Sequence, residues 1–235
     1  MAHLHRFYVP EGFAAGEACE LPAAEAHHAR RVVRVQAGDE VALFDGAGLE
    51  GEGRVARIDK HAVWIELHAV IQQEAPPRRL TLAQACLNRE DPMEELIRHG
   101  TALGVTQFVF FRGHHTDRPP KRPDKWQRWA VDACKQSGRP WLPVFAYHES
   151  LEEALRHAEP PLYVAEPGGN EAVSATDAAT LIVGPEGGLS DAELDQARGM
   201  GANPMTLGPH TLRSELAAIV GGTLLLQAMG AFRSC

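Results

Sequence analysis

Leu181-Ile182-Val183-Gly184-Pro185-Glu186-Gly187-Gly188-Leu189-Ser190-Asp191-Ala192-Glu193-Leu194 carries an apolar run into a glycine-rich turn and out again into a helix start. Thr180–Val183 reads as a short buried strand, and Ser190 with Glu193 has the spacing of a capping box that opens the next helix. The turn is neither GxGxxG nor GxxxxGK[ST], and it holds no Lys to reach a phosphate, so dinucleotide and triphosphate readings fail. Glu186 would itself repel phosphate. A carboxylate beside exposed backbone groups better suits a neutral or cationic ligand with ribose hydroxyls, although such a turn can also do nothing more than reverse the chain. Leu207–Ala218 (LGPHTLRSELAA) repeats the device with a strand at Met205–Leu207, a Gly-Pro turn and a long apolar helix from Ser214 to Met229. Arg213 at that helix start could stabilise a developing anion, or simply pair with Glu215.

Outward from these turns the same grammar holds. Leu80–Ala85, Gln107–Phe111 and Pro161–Ala165 read as buried strands, and Met93–Gly104, Lys125–Ser137 and Asp191–Arg198 as helices. Alternating strands and helices of this kind build a parallel α/β sheet. The pattern begins after Ala75-Pro76-Pro77, where consecutive prolines interrupt both sheet and helix. Before that boundary lie short alternating strands at Glu40–Phe44, Gly53–Ile58 and Ala62–Leu67, and a helix at Ala23–Val35 with His28, Arg31 and Arg34 near one face. Two domains are expected: residues 1–74, a small β-barrel with one helix, and residues 75–235, the α/β part.

The chain of 235 residues is 44% hydrophobic, enough for a full core, and its net charge of −8 argues against indiscriminate nucleic-acid binding. The average conceals one basic segment, Arg112 to Arg139, with 8 Lys and Arg against 3 Asp and Glu. It interleaves Trp126 and Trp129 with Arg118, Lys121, Arg122, Lys125 and Arg128, a composition that suits a nucleic-acid strand. A solvated helix with both Trp in the core is the plainer reading. Cys19, Cys86, Cys134 and Cys235 have no CxxC spacing, and the 12 His form no HExxH pattern, so free thiols and no metal are expected. With no run of about 18 apolar residues and no signal-peptide pattern in Met1–Pro10, a cytoplasmic location without membrane association is expected.

Four motifs in order, His27–Gly48 (HHARRVVRVQAGDEVALFDGAG), Asp132–Pro143 (DACKQSGRPWLP), Gly184–Leu194 (GPEGGLSDAEL) and Leu207–Ala218 (LGPHTLRSELAA), resemble the RsmE family. These are SPOUT-class methyltransferases that modify N3 of a uridine in small-subunit ribosomal RNA, and the resemblance covers about residue 5 to 228. It implies an N-terminal PUA-like barrel that binds RNA, a C-terminal α/β domain with a deep trefoil knot, and a homodimer. It implies S-adenosyl-L-methionine (SAM) as cofactor, with Gly184, Glu186, Gly187, Gly188, Leu207, Gly208 and Leu212 in its pocket. Arg213 is expected to stabilise the uracil anion, with Glu215 either orienting Arg213 or accepting the proton. The resemblance points to Arg30, Arg31, Arg34, Gln136 and Arg139 on RNA, either naked or in the assembled small subunit. In that context the phosphate-binding reading of the basic segment, including Arg128, gains weight, while Trp126 and Trp129 remain expected in the core.

The chain departs from the family pattern at several places. Arg89-Glu90-Asp91-Pro92 stands where the family has Lys-Gly-Asp-Arg, Ala102 replaces the Glu of its Thr-Glu-Leu-Gly-Val, and His115, Lys135 and His210 replace Arg, Glu and Arg. The SAM turns are intact and the changes touch the RNA side. They keep open a SPOUT enzyme with a different RNA target, and beyond it a non-catalytic RNA-binding module.

Overall fold

A computed structural model describes residues 4–116, 124–169, 173 and 177–232. The chain divides into two compact units, one formed by Met1–Ala75 with Val131–Leu142, the other by Pro76–Ala130 with Pro143–Cys235.

In the first unit β1 (His5–Tyr8), β2 (Ala18–Glu20), β3 (Glu40–Phe44), β4 (Leu49–Ile58) and β5 (Val63–Gln72) form one sheet in the order β1-β3-β4-β5-β2. β1 and β3 are parallel and the remaining pairs antiparallel. The period of two that marks a half-buried strand is plain in β5, where Val63, Ile65 and Leu67 are buried and the residues between them are not. These side chains join Phe7, Val41 and Leu43, and Ala26 and Ala29 close the core from a short helix.

That helix corrects one expectation. Ala23–Val35 is not a single α-helix: α1 covers Ala23–His28, a π-helical turn follows at Ala29–Val33, and Arg34 stands in the left-handed region with φ 62°. The wider π turn and the left-handed Arg34 interrupt the single α-helix expected there.

The β3–β4 turn is set by Asp45, whose carboxylate accepts the N–H groups of Ala47 and Leu49 at 2.7 and 2.9 Å. Leu142 N–H donates to Gly46 O at 2.9 Å, and Val131, Cys134 and Leu142 pack with Phe44 and Tyr8 in a second small core.

The second unit holds β6 (Arg79–Ala85), α2 (Glu90–Leu103), β7 (Gln107–Phe111), β8 (Val144–His148), α4 (Leu151–Leu155), β9 (Leu162–Ala165), β10 (Ala178–Val183), α5 (Asp191–Gly199), β11 (Ala202–Met205) and α6 (Ser214–Ala228). α3 (Asp124–Ser137) begins in this unit. Its six strands are all parallel, in the order β11-β9-β10-β6-β7-β8. β10 is buried along its whole length and β6 along all but its first residue, which is why both read as mostly apolar runs, with Thr81, Gln84 and Thr180 the buried polar exceptions. The chain builds outward from β6 through β7 to β8, then crosses to β9 and returns to place β10 beside β6. The carboxyl ends of β6 and β10 therefore mark a topological switch point, where open α/β sheets form their ligand crevices.

α6 lies close to this sheet because Gly221 and Gly222 face it; a Cβ on Gly221 would come within 2.6 Å of Leu181 Cδ2, and Leu181 is fully buried. Gly221→Val is expected to lower the unfolding free energy by about 1–3 kcal/mol through overpacking. Urea denaturation followed by circular dichroism checks this, with unchanged stability counting against the close approach.

Candidate functional site

Three crossovers end in loops at the switch point. Ala165–Gly168 follows β9, Val183–Leu189 follows β10, and the segment from Thr206 to Ala217 joins β11 to α6. With Arg89 and Pro92 at the start of α2 they enclose a cavity of about 1010 Å³, at the upper end of what small-molecule sites span.

The turn after β10 is tight: Gly188 N–H donates to Pro185 O at 2.9 Å, and a Cβ on Gly184 would meet Leu189 N at 2.6 Å. Only a residue without Cβ fits there. Behind the turn sits Gln84, the last polar residue of β6 and fully buried. Its Nε2 lies 3.0 Å from Gly184 O, 2.9 Å from Ala85 O and 2.9 Å from Ser214 Oγ. Ser214 Oγ in turn donates to Gly184 O at 2.5 Å. One amide and one hydroxyl thus join the ends of β6 and β10 to the first residue of α6.

Two carboxylates fasten the turn to neighbouring loops. Glu186 accepts from Asn88 N–H at 3.1 Å and from its side-chain amide at 3.3 Å. Glu193 completes the capping box expected at Ser190, and its other oxygen accepts His114 N–H at 2.9 Å. His115 packs on the turn, since a Cβ on Gly187 would meet its Cβ at 3.0 Å.

Gly184, Glu186, Gly187, Gly188, Leu207, Gly208 and Leu212 all line the one cavity, and Arg213 and Glu215 line it with them. Arg213 is the N-cap of α6, exposed, and makes no capping bond through its side chain. Among the described residues no ion pair joins it to Glu215, so that local alternative is not realised. The Ala165–Gly168 loop was missed by sequence reasoning, although Pro167-Gly168 after an apolar strand is the same strand-to-turn signal seen twice later. Arg89, Asn88 and Gln84 were missed too, Gln84 despite being the odd polar residue at the end of an apolar strand.

The basic residues distribute differently. In the first unit Arg31, Arg34 and Gln136 are exposed and Arg30 and Arg139 half-buried, and desolvation lowers the pKa of the Arg139 guanidinium below its ordinary value. Lys135 pairs with the buried Glu25 of α1, which brings the end of α3 to the start of that helix. In the second unit Arg128 is exposed on α3 while Trp126 and Trp129 are 5% and 3% exposed, the Trp126 ring packing tilted against Phe110 with centroids 4.4 Å apart. Both Trp therefore serve the core and are not platforms for bases. Arg118, Lys121 and Arg122 lie outside the described residues. Burial pushes the Cys86 thiol up to about 12 and that of Cys134 up to about 11, keeping both protonated.

Residues 74–226 match the family model described as an RNA methyltransferase domain, and residues 21–67 match that of an RNA methyltransferase PUA domain. The chain is 32% identical to ribosomal RNA small subunit methyltransferase E of Synechocystis over 85% of this chain and 70% of that one. It is 28% identical to the enzyme of the same name from Aquifex aeolicus, over 92% and 96% of the two chains. The crystal structure of ribosomal RNA small subunit methyltransferase E from Neisseria gonorrhoeae, bound to S-adenosyl methionine, superposes with a TM-score of 0.87 at 28% identity, covering 96% of this chain and 98% of the other.

Replacing Gln84 by Leu keeps the volume and removes the donor shared by three acceptors. Chemical denaturation is expected to give a loss of about 1–3 kcal/mol, the cost of buried groups left unsatisfied. Hydrogen exchange should quicken at Gly187 and Gly188; protection equal to the parent's there would show that the network does not hold the turn.

Proposed function

The chain belongs to the RsmE family of ribosomal RNA small subunit methyltransferases, and from that premise we propose that it transfers a methyl group from SAM to N3 of a uridine in small-subunit ribosomal RNA. The observation that carries this reading is the gathering of both glycine-bearing turns, Arg213 and Glu215 around one cavity at the switch point of the sheet.

The cavity fits the cofactor. Its volume accommodates a nucleoside with an amino-acid arm, Gly188 and Gly208 have open space where a Cβ would stand and so leave backbone open to close approach, and Glu186 at the rim suits ribose hydroxyls. When bound, SAM supplies a methyl group on a sulfonium, which becomes a neutral thioether as the methyl leaves. Gly184, Glu186, Gly187, Gly188, Leu207, Gly208 and Leu212 are assigned to holding it, so that the protein mainly aligns nucleophile and methyl carbon.

Uridine N3 is protonated at neutral pH and must lose that proton to become a nucleophile. Arg213 stands at the N-terminus of α6, where guanidinium and helix dipole together favour the negative charge that develops on the uracil. Glu215, not tied to Arg213, is assigned as the proton acceptor.

Residues 1–74 are assigned as the RNA-binding PUA-like domain and residues 75–235 as the methyltransferase domain, with a trefoil knot in its last segments. Arg30, Arg31, Arg34, Gln136 and Arg139 on the first unit and Arg128 on the second are assigned to RNA phosphates. No helix among the described residues is long and apolar enough to cross a membrane; a cytoplasmic location is assigned from the ribosomal substrate. A homodimer is supported by α6, whose Leu216 and Leu224 are 46% and 39% exposed and lie with Val220 on one stripe. A uridine in another RNA is the second reading, kept by His115 and His210 around the cavity; Lys135 is already accounted for by Glu25.

Titration calorimetry should detect SAM binding and none of ATP or NAD. Under-methylated small subunits should then acquire 3-methyluridine, identified by mass spectrometry of the nucleosides; methyl transfer to transfer RNA alone would overturn the target. Arg213→Ala should lower turnover by about 10²–10³-fold while SAM affinity stays within a few-fold. Leu216→Glu combined with Leu224→Glu should halve the mass measured by light scattering, and an unchanged mass would remove α6 from the dimer interface.

A further inference from the structure

Arg89 is the cation at the cavity that the mechanism above leaves without a task. It is the N-cap residue of α2, in extended backbone at φ −118° and ψ 147°, and its side chain lines the cavity. The residue before it, Asn88, holds Glu186 through both backbone and side chain. The backbone beneath Arg89 is thereby fastened to the turn after β10, and the guanidinium is presented from a fixed base.

Its side chain stands at the solvent edge of the cavity. Gly184, Ser214 and Ala217 on the floor of the cavity are buried, whereas the Arg89 side chain is 75% exposed and so stands at the rim. Among the described residues its one ion pair is with Asp91 at 3.8 Å, and Asp91 is 85% exposed; a pair so long and so well solvated contributes little. The acidic groups of the neighbouring loops are engaged elsewhere, Glu166 by Arg198 at 2.6 Å and Glu186 by Asn88, while Glu90 is taken by Lys125. A planar, permanently charged fork at the mouth of a site into which a nucleotide must be inserted matches a phosphate oxygen of the strand that carries it.

We propose that Arg89 is a positioning residue that grips a backbone phosphate of the RNA beside the target nucleotide. This rests on the RNA-methyltransferase reading and adds to it a contact with the substrate strand at the rim. An arginine there acts as a point at which the strand is stopped, so that the extruded base is directed toward Arg213 and Glu215 and the rest of the chain stays outside.

The test compares the parent enzyme, Arg89→Ala and Arg89→Lys on under-methylated small subunits over a series of salt concentrations, with SAM affinity measured separately by calorimetry. Arg89→Ala should raise the KM for the subunit about tenfold and change kcat less than about twofold, the loss of one charge-assisted contact. The slope of log affinity against log salt should fall by about 1, the signature of one phosphate released, and Arg89→Lys should restore that slope. An unchanged KM and salt slope in Arg89→Ala would overturn the assignment while leaving the parent's activity in place. A SAM affinity weakened as much as the RNA affinity would move Arg89 to the cofactor carboxylate and overturn it equally. A parent enzyme that binds SAM yet methylates no small subunit would overturn the functional reading, and this inference with it.

Discussion

The site depends on one buried amide. Gln84 has no exposure, and its Nε2 reaches the carbonyls of Ala85 and Gly184 and the hydroxyl of Ser214 at once. Carbonyls at the ends of parallel strands have no further ladder partner, and leaving one buried and unpaired costs about 1–3 kcal/mol. A side chain that satisfies Gly184 O from the neighbouring strand fixes where the turn must leave the sheet. Ser214 shares that carbonyl, so the start of α6 is placed by the same atoms. The geometry of two turns that are far apart in sequence therefore reduces to one local hydrogen-bonding requirement.

Around this centre the carboxylates of the segment act as fasteners. Glu186 and Glu193 both accept backbone N–H groups from loops that follow other strands, Asn88 after β6 and His114 after β7. Glu166, after β9, is held by Arg198 of α5. The acidic balance of the C-terminal part of the chain thus has a structural use. These charges hold loops at the carboxyl end of the sheet, and the cations Arg89 and Arg213 are left at the cavity without strong partners.

Much of this was legible because β6 and β10 are buried on both faces and read as mostly apolar runs, with glycine punctuation after β10. What escaped was short or disguised. β11 occupies Ala202–Met205 instead of Met205–Leu207; Pro204 hides it, and an edge position is where a strand tolerates proline. β1, β2, β8 and α4 are brief, and β8 is a half-buried edge without alternation. The π turn after α1 spans only Ala29–Val33, too few residues for its wider spacing to show as a period in the sequence. The two glycine-bearing turns mark the site, whereas the loop after β9 is short and Gln84 is a single polar residue within a mostly apolar strand. The burial of Trp126 and Trp129 shows why a mixed basic and aromatic composition cannot be read without knowing which face a helix turns inward.

Val131–Leu142 packs with the N-terminal unit although 55 residues of the other unit, Pro76–Ala130, come between them in sequence. Phe44 and Tyr8 pack on each other and take further apolar cover from Val131, Cys134 and Leu142. During synthesis the first 75 residues therefore emerge from the ribosome with one side of their core unfinished, and it is completed only after the first strands and helices of the second unit have followed. The order of maturation is not domain by domain. A fragment cut at the proline boundary would present a sticky aromatic face, and a nascent chain passes through the same state for as long as it takes to translate to residue 142.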